Sequence, residues 1–231
     1  KKIILHEDEH SVELIIGAGE NWHELVEWTV EKGWIGLENL ALIPGSVGAA
    51  PIQNIGAYGV EVEEYIASVQ YLNAETLDLI WIDRDKCDFA YRNSIFKKEL
   101  KIKAIITEVQ FKLPKNAQLR TDYESLRYFF SQQGIHNPSQ QQIFDAVIQV
   151  RQSRLPDIQT LGSCGSFFKN PLLPSEQIDH LSTRFPDIKA YPMPGGYTKV
   201  AAGWLIDKAV GKGFRKGQVS TYEQQALVLS L

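Results

Sequence analysis

Alternation of apolar and polar residues predicts several β-strands. Residues 12–16, Val-Glu-Leu-Ile-Ile, form a short β-branched run that is typical of a strand. Residues 66–72 and 77–82 alternate on either side of the polar stretch 73–76, which predicts a hairpin. Residues 103–113 form a further long alternating stretch, and the chain ends in another strand-like run. The strands therefore recur along the whole chain.

Helical periodicity occurs between these strands. Asn21 and Glu24 have the spacing of a capping box, and the helical period that follows extends to Gly33. The dipeptide 137–138, Asn-Pro, opens another predicted helix, with Ile143 and Val147 on one face.

Pro156 marks the end of that helix and a candidate domain boundary. Beyond it we predict a loop over 161–171, a helix capped by Ser175, a helix over 201–210 and a final strand. Because helices and strands are interspersed without strict alternation, the predicted fold class is α+β.

Composition narrows the possible functions. Apolar residues make up 44% and charged residues 23%, as in ordinary globular proteins, and the net charge of -4 argues against a nucleic-acid partner. Two cysteines, Cys87 and Cys164, fit a reducing cytoplasm, and no apolar run approaches the length of about 18 residues expected of a membrane span. The chain begins without methionine and stops within the apolar run 226–229, which indicates a fragment. We expect a cytoplasmic protein, not inserted in a membrane, that acts on small molecules.

Residues 42–60 follow neither period. They contain four glycines and two prolines, and they lack charged side chains. Glycine lets backbone N–H groups approach a pyrophosphate closely, and Ser46 and Gln53 would add side-chain donors. The loop matches neither the Walker nor the dinucleotide-binding glycine pattern. A buried irregular backbone against a ligand and a tight structural loop both remain possible from spacing alone.

Two further stretches contain candidate catalytic residues. In 91–97, Arg92 lies between aromatic and small polar residues and could hold a carboxylate in a bidentate manner, although a surface arginine in a turn is the simpler interpretation. In 162–171, small residues would admit a ligand, the pair 167–168 (Phe-Phe) would anchor the loop in the core, and Ser166 would be presented at a fixed place. No histidine is spaced to act as its base, so a purely structural loop is the alternative. We expect Cys164 to be a packed small residue.

The histidines are scattered, and the sequence contains no cysteine pair with metal-ligand spacing. We therefore predict no metal site.

Seven short stretches, taken in order, resemble the UDP-N-acetylenolpyruvoylglucosamine reductase family, in particular its longer type that includes the enterobacterial enzyme. Each stretch alone is a weak signal, and seven in family order across nearly the whole chain form a specific one. They are residues 17–23, 36–45, 51–59, 91–97, 165–171, 201–207 and 224–229.

The resemblance implies an FAD-binding domain of the vanillyl-alcohol-oxidase type over 1–155, followed by a small α+β substrate domain over 156–231. It implies NADPH as electron donor and reduction of UDP-N-acetylglucosamine enolpyruvate to UDP-N-acetylmuramate, a step of peptidoglycan synthesis. In this reaction a hydride passes from flavin N5 to C3 of the enolpyruvyl group, and an enzyme acid protonates C2. We expect the protein to be a monomer.

The resemblance also implies site residues. Ser166 matches the proton donor and Arg92 the arginine that holds the substrate carboxylate. FAD contacts are implied, besides Arg92, for Gly45, Ser46, Val47, Gly48, Ile52, Gln53, Ile55, Gly56, Ala57 and Tyr58. Substrate contacts are implied for Tyr123, Arg154, Asn170, Tyr191, Lys199, Lys212 and Gln225, with the two lysines suited to a diphosphate.

This chain departs from the family pattern in several places. Arg154 stands where a lysine is typical, and Cys164 stands where an alanine is common. The family's N-terminal lobe and its C-terminal catalytic glutamate are expected outside residues 1–231. Two rival functions follow: a flavin oxidase that shares the FAD fold, and a truncated UDP-sugar-binding module without catalysis.

Overall fold

A computed structural model describes residues 1–157 and 159–231. The chain divides into two compact units, Lys1–Val150 and Arg151–Leu231. The functional division at residue 155 stays a prediction. In the described residues, every helix is too short or too polar to cross a membrane.

The first unit combines a sheet with helices. Its strands are β1 (Lys2–Glu7), β2 (Ser11–Gly17), β3 (Gly56–Ala57), β4 (Val60–Glu61), β5 (Ile66–Asn73), β6 (Leu79–Asp83) and β7 (Ala104–Pro114). Its helices are α1 (Trp22–Glu31), α2 (Glu124–Gln132) and α3 (Gln140–Gln152), and the last two residues of α3 belong to the second unit. The main sheet has the order β1-β2-β7-β5-β6, with every neighbouring pair antiparallel.

Strict alternation places one face of β2 in the core. Val12, Leu14 and Ile16 are fully buried, whereas the residues between them are only partly buried. Burial of each such side chain stabilises the fold by about 1.5–3 kcal/mol. Trp22 and Leu25 of α1 belong to the same buried core, and the Trp22 ring lies 6.3 Å from the ring of Phe111, which pairs with Leu14. The strand predicted over 12–16 is thus confirmed.

Local signals placed the ends of several elements correctly. The Asn21 side chain accepts a hydrogen bond from the Glu24 backbone N–H (3.2 Å), so Asn21 caps α1 as expected. The predicted hairpin is β5–β6, and its turn is stabilised because the Asn73 side chain accepts from the N–H groups of Glu75 and Thr76. The helix predicted after Asn137-Pro138 is α3.

Over 151–157 and 159–231, the second unit has two small antiparallel sheets and two helices. Its strands are β8 (Ser163–Ser166), β9 (Leu172–Pro174), β10 (Ala190–Met193), β11 (Tyr197–Val200), β12 (Arg215–Lys216), β13 (Val219–Thr221) and β14 (Val228–Ser230). Its helices are α4 (Ser175–Arg184) and α5 (Ala202–Ala209). The sheets have the orders β10-β11-β9 and β12-β13-β14-β8. The predicted helix over 201–210 and the final strand are confirmed as α5 and β14.

Four local expectations for the second unit were wrong. The stretch 161–171 is not a loop throughout, because Ser163–Ser166 form strand β8, which pairs with β14. Phe167 and Phe168 are 58% and 54% exposed, so they do not anchor their loop in the core, and Cys164 is exposed rather than packed. The reason is that β8 lies at the edge of its sheet, where the chain runs along the surface. Ser175 does not cap α4, because Pro174 occupies the cap and the Ser175 hydroxyl instead hydrogen-bonds the Thr198 hydroxyl (2.9 Å).

Candidate functional site

The glycine-rich loop over 42–60 is held from inside by Asn54. This residue is fully buried and has a left-handed backbone (φ +44°). Its side-chain amide donates to Glu61 (3.2 Å), Glu63 (3.0 Å) and the Ala90 carbonyl (3.2 Å), and its Oδ1 accepts from the Glu63 backbone N–H (3.2 Å). These bonds fix the path of the loop, as a ligand cradle requires.

The same loop has an open face. Gly45 (φ +118°) and Gly59 (φ +85°) adopt backbone conformations that disfavour other residues, and a Cβ at either would meet no heavy atom within 4 Å. Ile52 and Gln53 of the same loop are also exposed, so the loop offers an apolar and a polar side chain as well. The contact of this open face with FAD stays a prediction.

Other residues expected at the cofactor have different surroundings. Val47 and Ile55 belong to the hydrophobic core of the first unit. Gly48 packs on Ala18, where a Cβ would lie 2.6 Å from the alanine Cβ, and Ser46 pairs with Asn21 in an isolated β-bridge. These residues hold the loop in place, and their contact with FAD stays a prediction.

Arg92 is joined to this loop. Its Nη1 donates to the Asn54 carbonyl (3.1 Å) and to Oε1 of Glu61 (3.2 Å), and its Nη2 donates to the Gly56 carbonyl. The backbone of Arg92 is left-handed (φ +53°), which is uncommon outside glycine and clusters at functional sites. Arg92 does lie in a turn, as the simpler interpretation expects, but its side chain is only 25% exposed and is tied to the loop, and its contact with a substrate carboxylate stays a prediction.

Tyr123 lies beside the end of the same loop. The rings of Tyr58 and Tyr123 meet edge to face with centroids 5.3 Å apart, and Tyr123 also occupies the N-cap position of α2. The Asn39 side-chain amide donates to the carbonyl groups of Tyr58 and Arg120, at 3.0 Å each. A residue expected at the cofactor thus contacts one expected at the substrate.

In the second unit, Ser166 ends strand β8 and is exposed. It pairs with Val228 across the sheet, and the preceding Gly165 is left-handed (φ +62°), with its N–H donating to the Ser163 hydroxyl (3.0 Å). Among the residues that the structure describes, the Ser166 hydroxyl has no hydrogen-bond partner. It is therefore available to a ligand.

Three of the predicted substrate residues line one polar cavity of about 300 Å³ in the second unit. They are Arg154, Lys212 and Gln225, and the remaining lining residues are Gly203, Trp204, Asp207 and Gln224. The Gln225 Oε1 accepts from the Leu227 N–H (3.4 Å) and lies 2.9 Å from where a Cβ at Gly203 would be. A glycine at 203 is what leaves room for this amide.

The other predicted substrate residues of the second unit lie on well-defined elements. Tyr191 on β10 pairs directly with Lys199 on β11, which brings their side chains to the same face of the sheet. The Asn170 side-chain oxygen accepts from the Ala202 N–H (2.9 Å) at the start of α5. That bond orients the amide of Asn170.

The predicted site residues thus form two groups, one in each unit. Proximity of Ser166 to Arg92 stays a prediction. Sequence reasoning missed Glu61 and Asn54, which hold Arg92, and Asp207, which lines the cavity. Asp207 lies one helical turn after Gly203 on α5, and no local spacing indicated the role of either Asp207 or Glu61. The described residues contain no cluster of three or more potential metal ligands of the His, Cys, Asp and Glu types.

Two family models match this chain, one toward its beginning and one toward its end. A family model described as an FAD binding domain matches residues 1–76, and one described as the C-terminal domain of UDP-N-acetylenolpyruvoylglucosamine reductase matches residues 157–230. The chain is therefore of the class of FAD-binding reductases with a separate C-terminal domain, which confirms the predicted α+β fold class and its two domain types.

Individual relatives give the family. The chain is 48% identical to UDP-N-acetylenolpyruvoylglucosamine reductase of Dechloromonas aromatica, covering 99% of this chain and 68% of that protein. It is 45% identical to the protein of the same name from Burkholderia mallei, covering 99% of this chain and 66% of that protein. The chain belongs to the UDP-N-acetylenolpyruvoylglucosamine reductase family, which confirms the resemblance, and it spans about two thirds of the length of these relatives.

A solved structure has the same fold. The crystal structure of UDP-N-acetylenolpyruvylglucosamine reductase (MurB) from Thermus caldophilus matches with a TM-score of 0.60 at 22% identity, covering 93% of this chain and 60% of that chain. At this identity, the likeness concerns the fold alone.

Proposed function

We propose that the protein catalyses the NADPH-dependent, FAD-mediated reduction of UDP-N-acetylglucosamine enolpyruvate to UDP-N-acetylmuramate, in the cytoplasm, as a step of peptidoglycan synthesis, and that it acts as a monomer. The observation that carries this proposal is the anchoring of Arg92 on the glycine-rich loop. The Arg92 guanidinium contacts a glycine-rich loop that could hold a cofactor. The relatives of this chain carry the name of this reductase.

The glycine-rich loop and Arg92 would hold FAD. The residues concerned are Gly45, Ser46, Val47, Gly48, Ile52, Gln53, Ile55, Gly56, Ala57, Tyr58 and Arg92. Bound FAD would supply the hydride that adds to C3 of the enolpyruvyl group. The chain itself contributes the position of the substrate, stabilisation of charge and a proton.

Arg92 stabilises the charge that develops on the substrate. Addition of a hydride at C3 places negative charge on C2, and this charge spreads into the carboxylate. A guanidinium beside the carboxylate oxygens interacts most strongly when that charge is present, and loss of one such donor costs roughly 3–4 kcal/mol of transition-state stabilisation. Arg92 therefore acts in the second half-reaction, after the flavin has been reduced.

Ser166 delivers the proton to C2. Its hydroxyl is exposed at the end of β8 and has no competing partner among the residues described, so it can turn toward a bound substrate. The carbon of an enolate is basic enough to take a proton from a serine hydroxyl, which explains why no histidine is needed. Product formation requires Ser166 and Arg92 to converge on one three-carbon acid.

The UDP-sugar is held mainly by the second unit. Arg154, Lys212 and Gln225 offer two positive charges and an amide in one cavity, which suits a sugar nucleotide diphosphate. Lys199 and Tyr191 add a charge and a ring on one sheet face, and Asn170 adds an oriented amide. Tyr123 contributes from beside the loop of the first unit.

The full-length protein, purified with FAD, tests this function by its visible absorbance. We expect flavin bands that bleach on addition of NADPH and recover on addition of the enolpyruvyl sugar without oxygen. Flavin that ignores NADPH but is reduced by a hydroxylated donor, with oxygen consumed, would instead identify an oxidase. Binding of UDP-N-acetylglucosamine without any uptake of flavin would identify a binding module.

A further inference from the structure

The carboxylate of Glu61 is fixed from three directions. Its Oε1 accepts from Nη1 of Arg92 (3.2 Å), and its Oε2 accepts from the side-chain amide of Asn54 (3.2 Å). The same side chain accepts from the Glu64 backbone N–H in a capping box. Because the Glu61 and Arg92 side chains are 31% and 25% exposed, solvent screens this pair only in part. Glu61 is therefore a rigid anionic support for Arg92.

The protein contacts of Arg92 use only one side of its guanidinium. The group has five N–H donors in one plane. Both Nη1 donors are used, by the Asn54 carbonyl and by Glu61, and one Nη2 donor is used by the Gly56 carbonyl. The Nε–H and the second Nη2–H have no acceptor within residues 1–157 and 159–231. In a planar guanidinium one Nη2–H lies parallel to the Nε–H, and this Nε–Nη2 edge can bind a carboxylate in a bidentate manner.

Close packing prevents the pair from shifting. A Cβ at residue 56 would lie 2.7 Å from Nη1 of Arg92 and 2.9 Å from Cγ of Glu61, so both side chains rest directly against the glycine backbone. The left-handed backbone of Arg92 is in turn held by Lys97, whose Nζ donates to the Arg92 carbonyl (3.2 Å). The orientation of the guanidinium is thus determined by the fold.

We propose that Glu61 is a positioning residue: it binds the Nη1 side of Arg92 so that the Nε–Nη2 edge faces the substrate carboxylate. This inference rests on the proposed function. Glu61 itself touches neither substrate nor cofactor, and it acts through Arg92. The negative charge of Glu61 also lowers the positive potential around Arg92. If Glu61 only competed with the substrate carboxylate for Arg92, it would slow the reaction, whereas a positioning residue speeds it.

Glu61→Gln in the full-length protein separates these roles by half-reaction. We expect flavin content and the rate of flavin reduction by NADPH to stay within about twofold of wild type. Reoxidation by the enolpyruvyl sugar should slow about 10- to 100-fold, because the substrate charge that Arg92 stabilises develops only in that half-reaction. Unchanged or faster reoxidation would overturn the proposal. Glu63→Gln is the matched control, because Glu63 contacts Asn54 and Arg84 but not Arg92. The decrease in its reoxidation rate should be at least fivefold smaller than that of Glu61→Gln.

A double-mutant cycle with Arg92→Lys shows whether Glu61 acts through the arginine. Lysine keeps the positive charge but loses the planar fork of the guanidinium. If Glu61 acts through Arg92, the double variant should therefore reoxidise its flavin no more slowly than the slower of the two single variants. Multiplied losses would mean that Glu61 acts independently and would overturn the proposal.

If Glu61→Gln loses flavin, Glu61→Asp replaces it in the same cycle, and unchanged reoxidation by Glu61→Asp counts against the proposal equally. Failure of the wild-type protein itself to reoxidise would refute the proposed function instead.

Discussion

The backbone of Gly56 lies directly against the guanidinium of Arg92, whose Nη2 donates to the Gly56 carbonyl. A Cβ at this glycine would come within 2.7 Å of Nη1, and also within 2.9 Å of the Val60 carbonyl. The loop and the arginine therefore form one packed element, although 36 residues of chain separate them. A change in either is transmitted to the other.

Gly56→Ala should disturb both stability and catalysis. The added methyl group has to push aside Arg92 and the Val60 backbone, and overpacking of this kind costs typically about 1–3 kcal/mol. We expect a lower midpoint of denaturant unfolding and slower flavin reoxidation by the enolpyruvyl sugar. Gly19→Ala is the control, because a Cβ there meets no heavy atom within 4 Å. Equal behaviour of the two variants would contradict the packing argument.

Ser166→Ala should separate the two half-reactions. Removal of a positioned proton donor slows the dependent step by about 10²- to 10⁴-fold, whereas flavin reduction by NADPH does not need that proton. Stopped-flow absorbance at the flavin bands, with NADPH and then with the enolpyruvyl sugar, measures both rates. Cys164→Ala changes an exposed neighbour on the same strand and should leave both rates near those of wild type. Equal losses in the two half-reactions would exclude Ser166 as the proton donor.

Lys212→Ala should weaken binding of the sugar nucleotide rather than chemistry. Loss of one positive charge from the polar cavity should raise the KM for the enolpyruvyl sugar about tenfold, equivalent to about 1.4 kcal/mol, with little change in kcat. Steady-state kinetics at low and moderate salt measure this, and the difference should shrink as salt rises. Lys216→Ala removes an exposed charge from β12 in the same unit, outside the cavity, and should not raise KM. A similar rise in both variants would indicate a general charge effect.

The two cysteines should differ in reactivity. Burial raises the pKa of the Cys87 thiol to about 12, so at pH 9 only about one such thiol in a thousand is the reactive thiolate. Cys164 is exposed. Alkylation of the native protein with iodoacetamide, followed by mass spectrometry, should modify Cys164 alone up to pH 9. Unfolding in denaturant should then expose Cys87 to the reagent, and rapid labelling of Cys87 in the native state would contradict its burial.

Local patterns predicted the elements well where periodicity and burial agree. The alternation of 12–16 corresponds to β2, and the polar turn at 73–76 corresponds to the β5–β6 connection. They failed for the pair 167–168, because a hydrophobic side chain is buried only if another element covers it, and β8 lies at a sheet edge. Helix α2 was not predicted, because polar residues interrupt its apolar positions within only 9 residues.

The candidate site residues also divide into those that the sequence indicated and those that only the structure revealed. Family resemblance identified Arg154, Lys212 and Gln225 one by one, and the fold brings these three into one cavity. Nothing in the sequence near Arg92 indicated Glu61, whose contact spans 31 residues of chain. Such partners depend on how β3, β4 and the loop around Arg92 are arranged, which short-range spacing does not describe.

The sequence by itself determined the family, the α+β class and the identity of the residues that carry charge, because these depend on local residue order and composition. Only the tertiary structure decided what Arg92 contacts, which of its N–H donors are used, and which side chains share a cavity. The physical reason is that periodicity reports which face of an element is buried, whereas a hydrogen-bond partner is set by strand register and by the path of distant loops.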